Sequence, residues 1–223
     1  MKRSIKEIVL RLVILLCGLT VAHLGVSLFV LADLGSDPFN VLVQGIFRTL
    51  CDVTKWSFLT HGSLHMTMCL LILVTLLFVD RSYIQIGTAV CMVAGGPIID
   101  FFSAILGGVL NANSPMVIRL ASLVIGCFIM AYGMTVVMRA DVGVGPNDLV
   151  AISISDKLHK KFPVVRVIVD FAFAGIGFAL GGTLGVGTIV CAFLVGPVAG
   201  IFLPINDKLV NGIVSRLMKK TTA

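Results

Sequence analysis

The chain has 223 residues, 58% of them hydrophobic and 13% charged, with a mean hydropathy of +1.09 and a formal charge of +6. Soluble domains carry roughly 45–50% apolar and about 25% charged residues, so this composition excludes an ordinary soluble fold. The basic residues cluster between apolar runs, which marks them as orientation signals rather than a nucleic-acid-binding surface.

Six apolar runs, roughly 8–32, 62–79, 84–107, 116–138, 164–180 and 184–204, are long enough for a bilayer crossing, which takes about 20 residues with a lower end near 17. The first has a basic lead, Met1-Lys2-Arg3-Ser4-Ile5-Lys6. It outruns a signal-peptide core and has no small-residue cleavage site, so it is expected to be a retained span. It closes on Ala32-Asp33-Leu34-Gly35-Ser36-Asp37-Pro38-Phe39-Asn40-Val41-Leu42. Glycine loosens the backbone and proline suits the first position of a helix, so the stretch reads as helix end, irregular link and new helix. The same order returns after the fourth run as Ala140-Asp141-Val142-Gly143-Val144-Gly145-Pro146-Asn147-Asp148-Leu149-Val150. The segments that follow, 38–50 and 147–158, are helix-like and too short to span. They are expected to be re-entrant or interfacial. The predicted fold is an all-α polytopic membrane domain of six transmembrane helices plus two short broken or re-entrant helices.

The duplication extends beyond the motif. At an offset of 108, Arg11, Leu15, Gly18, Gly25, Asp33, Gly35 and Pro38 match Arg119, Leu123, Gly126, Gly133, Asp141, Gly143 and Pro146. At an offset of 100, Gly87, Thr88, Cys91, Gly96 and Pro97 match Gly187, Thr188, Cys191, Gly196 and Pro197. The chain divides into two membrane repeats, 1–112 and 113–223. Three crossings per repeat is an odd number, so the second repeat is expected to be inverted, a common transporter plan. With the N-terminus inside, only Arg48, Lys55 and Arg119 lie outside and the other Lys and Arg residues lie inside. Eight crossings in two parallel sets of four also satisfy the charges; segment length favours six.

The polar residues of the two motifs are the first candidates for binding a solute or ion: Asp33, Asp37 and Asn40 from one side, Asp141, Asn147 and Asp148 from the other. Ionisable groups inside a membrane are costly and usually functional. Helix N-termini at Pro38 and Pro146 suit an anion, whereas the carboxylates suit a cation or proton. The other reading is capping and turn-making alone. Asp100, beyond Gly95-Gly96-Pro97, and Asp170, one turn after Arg166, complete the candidate set; an Arg166–Asp170 ion pair is the structural alternative for the latter. Pro97 and Pro197 are expected to kink their spans or to accompany close packing through small residues. His61, His65 and Met68 or Cys69 share one helix face, an arrangement that could hold copper or zinc; the principal expectation is no metal and no cofactor. The cysteines lack a CxxC pair and read as small buried hydrophobes. No Walker A, HExxH or nucleophile-elbow pattern is present, and an enzyme is not expected.

On the Asp-x-Gly-x-x-Pro element at Asp33, its copy at Asp141, and the Gly-Thr-x-Val-Cys…Gly-Pro element from Gly87 and Gly187, the sequence resembles the bacterial YczE/YyaS/YitT family of integral membrane proteins. Phe39 and Asn40 stand where that family often has tryptophan and aspartate. The resemblance covers most of the chain and implies a multi-pass protein of the bacterial plasma (inner) membrane, with no assigned activity and no functional residues to carry over. The expected function is a transporter-like small permease with a solute or ion site at the repeat interface and both termini cytoplasmic. The alternative is a non-transporting accessory or sensor protein, or the substrate-binding subunit of a larger importer. The expected partners are the bilayer, a small solute or ion, and a second copy or a membrane subunit.

Overall fold

The computed structural model describes residues 3–35, 37–54, 60–81, 84–160 and 162–222, without the side chains of Val53, Thr54, Phe162, Pro163, Arg166, Ala192 and Lys219 to Thr222. Lys55, expected on the outer side, lies outside the described residues. The described chain is helical, with α1 (Ile5–Ala32), α2 (Pro38–Thr54), α3 (His61–Val79), α4 (Ile86–Leu106), α5 (Met116–Ala140), α6 (Pro146–Leu158), α7 (Phe162–Ala179) and α8 (Val186–Thr222). The helices start where local chemistry satisfies their free N–H groups. The Ser4 hydroxyl accepts from Glu7 N, and Thr60 and Ser63 form a reciprocal capping box before α3.

α1 and α5 end alike. Asp33 and Asp141 adopt the left-handed conformation, with φ of 46° and 55°, which aspartate tolerates better than most side chains. Gly35 and Gly143 follow with φ of +99° and +134°. A Cβ at Gly35 would press on Thr188, and one at Gly143 on Thr88. The turn therefore needs glycine both for its dihedral and for the close approach of α8 to Gly35 and of α4 to Gly143.

The centre of the molecule is the α1–α5 seam. Gly18 lies against Gly133, and Gly25 against Gly126, backbone to backbone. At the two ends, Arg11 Nη1 donates to Ala140 O at 3.1 Å and Arg119 Nε donates to Ala32 O at 2.6 Å. The N-terminal part of each helix thus caps the C-terminus of the other, so the two run antiparallel. The same exchange recurs one layer out, where Gly87 N donates to Val142 O at 2.8 Å and Gly187 N to Leu34 O at 2.7 Å. Two apolar clusters flank the seam. One gathers Leu15, Leu19, Cys91 and Val137; the other gathers Leu123, Cys127, Cys191 and Phe29.

In α1 and α5 half of the spanning window is buried, against 22–28% in α3, α4 and α8, so the seam is the axis and the others surround it. α4 packs on α1, α8 on α5, α3 on α4, and α2 and α6 both on α7. The outward side chains include Phe78, Phe101, Phe171 and Phe193, as expected where the solvent is lipid.

Five helices, α1, α3, α4, α5 and α8, are long and apolar enough to cross a membrane. The expected sixth span is α7, whose apolar stretch, Val167–Ala179, is shorter. The helix expected to end at 204 runs on to Thr222. Asn206 Nδ2 donates to Thr135 Oγ1 at 2.7 Å, Arg139 pairs with Asp207 at 3.3 Å, and Val210 and Val214 are buried, so this extension has its own anchorage on α5. Both α4 and α8 continue as helix through their prolines, Pro97 in one and Pro197 and Pro204 in the other. Around Pro97, Gly96 meets Gly62 of α3 backbone to backbone, whereas among the described residues no neighbouring atom lies within 4 Å of the place of a Cβ on Gly196.

That contrast yields a prediction. Gly133→Ala places a methyl against the backbone of Ala22 and Gly18, and should lower stability by about 1–3 kcal/mol. Gly196→Ala should be neutral or stabilising by up to about 1 kcal/mol, since alanine favours helix and meets nothing. Thermal unfolding of the two purified variants in one detergent checks the order; equal effects would contradict the seam.

Candidate functional site

The link after α1 turns the chain so that Asp37 caps α2. Its Oδ1 accepts from Asn40 N at 3.3 Å and its Oδ2 from Asn40 Nδ2 at 2.7 Å. Because a carboxylate can only accept here, the amide NH₂ of Asn40 must face Asp37, and its carbonyl oxygen must face the other way. There it meets two imidazoles of α3, His61 Nε2 at 3.2 Å and His65 Nδ1 at 3.4 Å. His65 in turn stands edge-on to His23 of α1, with ring centroids 5.6 Å apart, and to Phe39 at 5.2 Å. Asn40 and His65 are buried, and His23 and His61 half-buried.

Asp100 joins this group from α4. It accepts from Gly62 N at 2.9 Å and from Thr60 Oγ1 at 2.7 Å, so it caps the start of α3, and its charge acts on His61. The contact depends on Gly62, where a Cβ would collide with the Asp100 carboxyl. Asp37, Asn40 and Asp100 are thereby brought together.

The second motif is built differently. Gly145 precedes Pro146 at the start of α6, and Asn147 Nδ2 donates to Asp148 Oδ1 at 3.3 Å. The field of Asp148 reaches Cys69 and Cys91. Beside it lies a cavity of about 220 Å³ lined by Gln85, Met138, Asp141, Gly143, Val144, Leu149 and Ile152. Asp141 is ion-paired with Arg3, whose Nη1 also donates to its backbone carbonyl at 2.5 Å, and its side chain is 64% exposed.

Asp33 occupies a denser network at the opposite end of the seam. One oxygen accepts from Arg48 Nη2 at 2.8 Å, Thr183 Oγ1 at 3.0 Å and Gln44 Nε2 at 3.3 Å. Gln44 Oε1 then accepts from Thr183 N at 2.7 Å, and Arg48 Nη1 donates to Gly181 O at 3.0 Å. Gln44 stands 108 positions before Ile152, which lines the cavity at the other end. Asp170 is half-buried on α7 and its field reaches Cys191; the side chain of its expected partner, Arg166, lies outside the described residues.

Among the described residues no group of three or more His, Cys, Asp or Glu side chains is arranged to hold a metal. His61 and His65 both turn to the Asn40 oxygen, while Met68 and Cys69 pack with Phe39 and Leu64. The cysteines are all free, and Cys69, Cys91, Cys127 and Cys191 are buried. Sequence reasoning passed over His23, a lone polar residue in an apolar run, along with Gln44 as a partner of Asp33 and Thr183 as its cap. The signal for His23 was available in its chemistry, but no local spacing tied it to His65.

A family model described as a family of unknown function, DUF6198, matches residues 9–204. An uncharacterized protein of Haemophilus influenzae is 30% identical over 197 residues, covering 88% of this chain and 84% of its own length. The uncharacterized membrane protein YczE of Bacillus subtilis is 29% identical over 213 residues, covering 95% and 94%. YyaS of the same organism, also uncharacterized, is 23% identical over 192 residues, covering 86% and 91%. No solved structure matches the chain.

The two motif aspartates should respond differently to loss of charge. Asp33→Asn weakens a cluster of charge-assisted hydrogen bonds and should cost about 1–2 kcal/mol. Asp141→Asn removes an exposed ion pair and should cost less than about 1 kcal/mol. Melting temperatures of the two variants measure the order, and a larger loss at Asp141 would refute it.

Proposed function

We propose, for a chain that belongs to the DUF6198 family of unknown function, that it is a small permease-like protein of the bacterial plasma membrane. In this reading its halves are inverted repeats of three crossings each, and a small solute or ion is handled between them. The observation that carries the reading is the reciprocal seam. Equivalent residues of the two halves, Arg11 and Arg119, cap the opposite ends of antiparallel helices, the relation a two-fold axis in the membrane plane produces.

α1, α3, α4, α5, α7 and α8 then cross, while α2 and α6 enter from opposite faces. The outer group is Asp37, Asn40, His61 and Asp100. The inner group is Asp141, Asn147 and Asp148 beside the cavity, with both termini cytoplasmic. Between the groups lie His65 and His23, then Cys69 and Cys91, so polar and polarizable side chains succeed one another from face to face. In this reading the Asp33–Arg48–Thr183 network belongs to the outer end and the cavity beside Asp141 to the inner one. The reading is one of binding and passage rather than catalysis.

A second reading, an accessory or solute-binding subunit of a larger assembly, has its own support. Among the described residues nothing lies within 4 Å of the place of a Cβ on Gly175, Gly196 or Gly200, which leaves those parts of α7 and α8 free for a partner helix or a second copy.

A thermal-stability screen of the purified protein against metabolites and ions tests the proposal, followed by uptake of the hit into proteoliposomes. A ligand at about 100 times its Kd should stabilise the fold by about 2.7 kcal/mol. Asn40→Ala and Asp148→Asn should abolish that gain and the uptake, with Gly196→Ala, which lies in neither group, affecting neither by more than a few-fold. A ligand that stabilises wild type, Asn40→Ala and Asp148→Asn alike would place its site elsewhere.

A further inference from the structure

We propose that the cavity beside Asp141 binds a small organic cation, a guanidinium or primary ammonium on a short apolar body, which takes the place of Arg3 at the Asp141 carboxylate. The ligand class deepens the reading of the inner group as solute-binding and rests on it.

Asp141 lines the cavity and C-caps α5, so the negative end of that helix's dipole lies beside a carboxylate. Among the described residues Arg3 alone donates to this carboxylate, and its Nη1 also donates to the Asp141 carbonyl at 2.5 Å. One residue of the wall thus already holds a planar, multi-donor cation through two acceptors, the geometry that suits a guanidinium.

That cation does not come from the adjoining helix. Asp33 ends α1 in the same left-handed conformation, and there α2 supplies Arg48 and Gln44. At 108 positions further on stand Asp156 and Ile152, so α6 offers neither a guanidinium nor an amide in those places. Arg3 reaches Asp141 from the segment before α1 instead. Its side chain is 38% exposed and that of Asp141 64%, and an exposed ion pair of this kind contributes little. Arg3 also has another carboxylate close by, since its Nε lies 3.7 Å from Glu7 Oε1. Leaving Asp141 therefore does not strand its charge.

The remaining walls select the body of the ligand. Met138, Val144, Leu149 and Ile152 are apolar, and Leu149 is buried. A hydrated inorganic ion gains nothing from such a wall, whereas an alkyl chain leaves water there. Among the described residues no group of three metal-ligating side chains is arranged in any case. The charged head belongs at Asp141 and not at Gln85, where α4 starts without a side-chain cap and the positive end of its dipole disfavours a cation. The volume, about 220 Å³, lies below the roughly 300–1,000 Å³ of sites for drug-sized ligands, so the body is short. Other basic side chains of this end are engaged elsewhere. Arg11 is held by Glu7 and Ala140 O, Arg139 by Asp207, and Lys157 Nζ donates to Val79 O at 3.4 Å.

Isothermal titration of the full-length protein in lipid nanodiscs tests the site, with n-butylguanidine as the probe and n-butylurea as its neutral isostere. Protein-free nanodiscs give the lipid background. n-Butylguanidine should bind saturably, one per chain, and n-butylurea about ten-fold or more weakly. Asp141→Asn, folded by its melting temperature, should lose about ten-fold or more in affinity for n-butylguanidine. Arg3→Gln should bind it more tightly, by up to about five-fold, because the tethered competitor is gone. Ile152→Phe, which narrows the apolar wall, should weaken it without changing the preference over n-butylurea. Equal affinity for the two probes, binding that survives Asp141→Asn in a folded protein, or an affinity unchanged or weakened by Arg3→Gln would each overturn the proposal. So would the absence of saturable binding to both wild type and Arg3→Gln. Nothing is transported in the titration, so the two readings fail separately. Binding without uptake into proteoliposomes sinks the permease and leaves the site, while uptake of another solute without n-butylguanidine binding sinks the site alone.

Discussion

Everything in this fold depends on how closely α1 and α5 can approach. Lipid tails are as apolar as leucine, so helices in a membrane gain little from merely hiding apolar surface and associate through packing and hydrogen bonds. Gly18 against Gly133 and Gly25 against Gly126 remove the side chains that would hold the backbones apart. The approach brings each arginine to the end of the other helix, where unsatisfied carbonyls need donors that lipid cannot supply. Arg11 and Arg119 provide them. The seam is therefore both a packing interface and a pair of caps, and either part alone would leave the other incomplete.

The seam also fixes where the chain can break. With their last carbonyls held, α1 and α5 end at left-handed aspartates, and Gly35 and Gly143 let the next helix of the other layer come close. The short helices α2 and α6 then start from equivalent places with unequal equipment. Asn40 corresponds to Asp148, Gln44 to Ile152, His23 to Ala131 and Asp100 to Gly200. The first half has gathered the imidazoles and their amide relay, while the second has kept a cavity.

Much of the helical fold was legible from composition and from the order of Gly, Pro, Arg and Asp, because hydropathy over 20 residues and residue order are local facts. The eight helices follow those signals to within a few residues, apart from α8, whose continuation depends on Asn206 meeting Thr135 across the bundle. The polar cluster was only half legible. Asp37, Asn40 and Asp100 stood out as carboxylates and amides beside apolar sequence, and the His61–His65 stripe was visible from its spacing. What joined them was tertiary: the packing of α3 on α4 at Gly62 and Gly96, and the arrival of His23 from a helix 42 positions earlier than His65. Spacing shows which residues of the stripe share a face, and cannot show that both rings turn to one amide oxygen.

The central claim is that equivalent parts of the two halves face opposite sides of the membrane. Asp52 and His159, at the ends of α2 and α6, occupy corresponding connections and are both exposed. Single cysteines at these two positions, in a protein otherwise free of reactive cysteine, can be labelled with a membrane-impermeant maleimide in intact cells and in inverted vesicles. The account predicts that position 52 is labelled only from outside and position 159 only from the cytoplasmic face. Labelling of both positions from the same side would contradict it, and with it the inverted arrangement on which the proposed path rests.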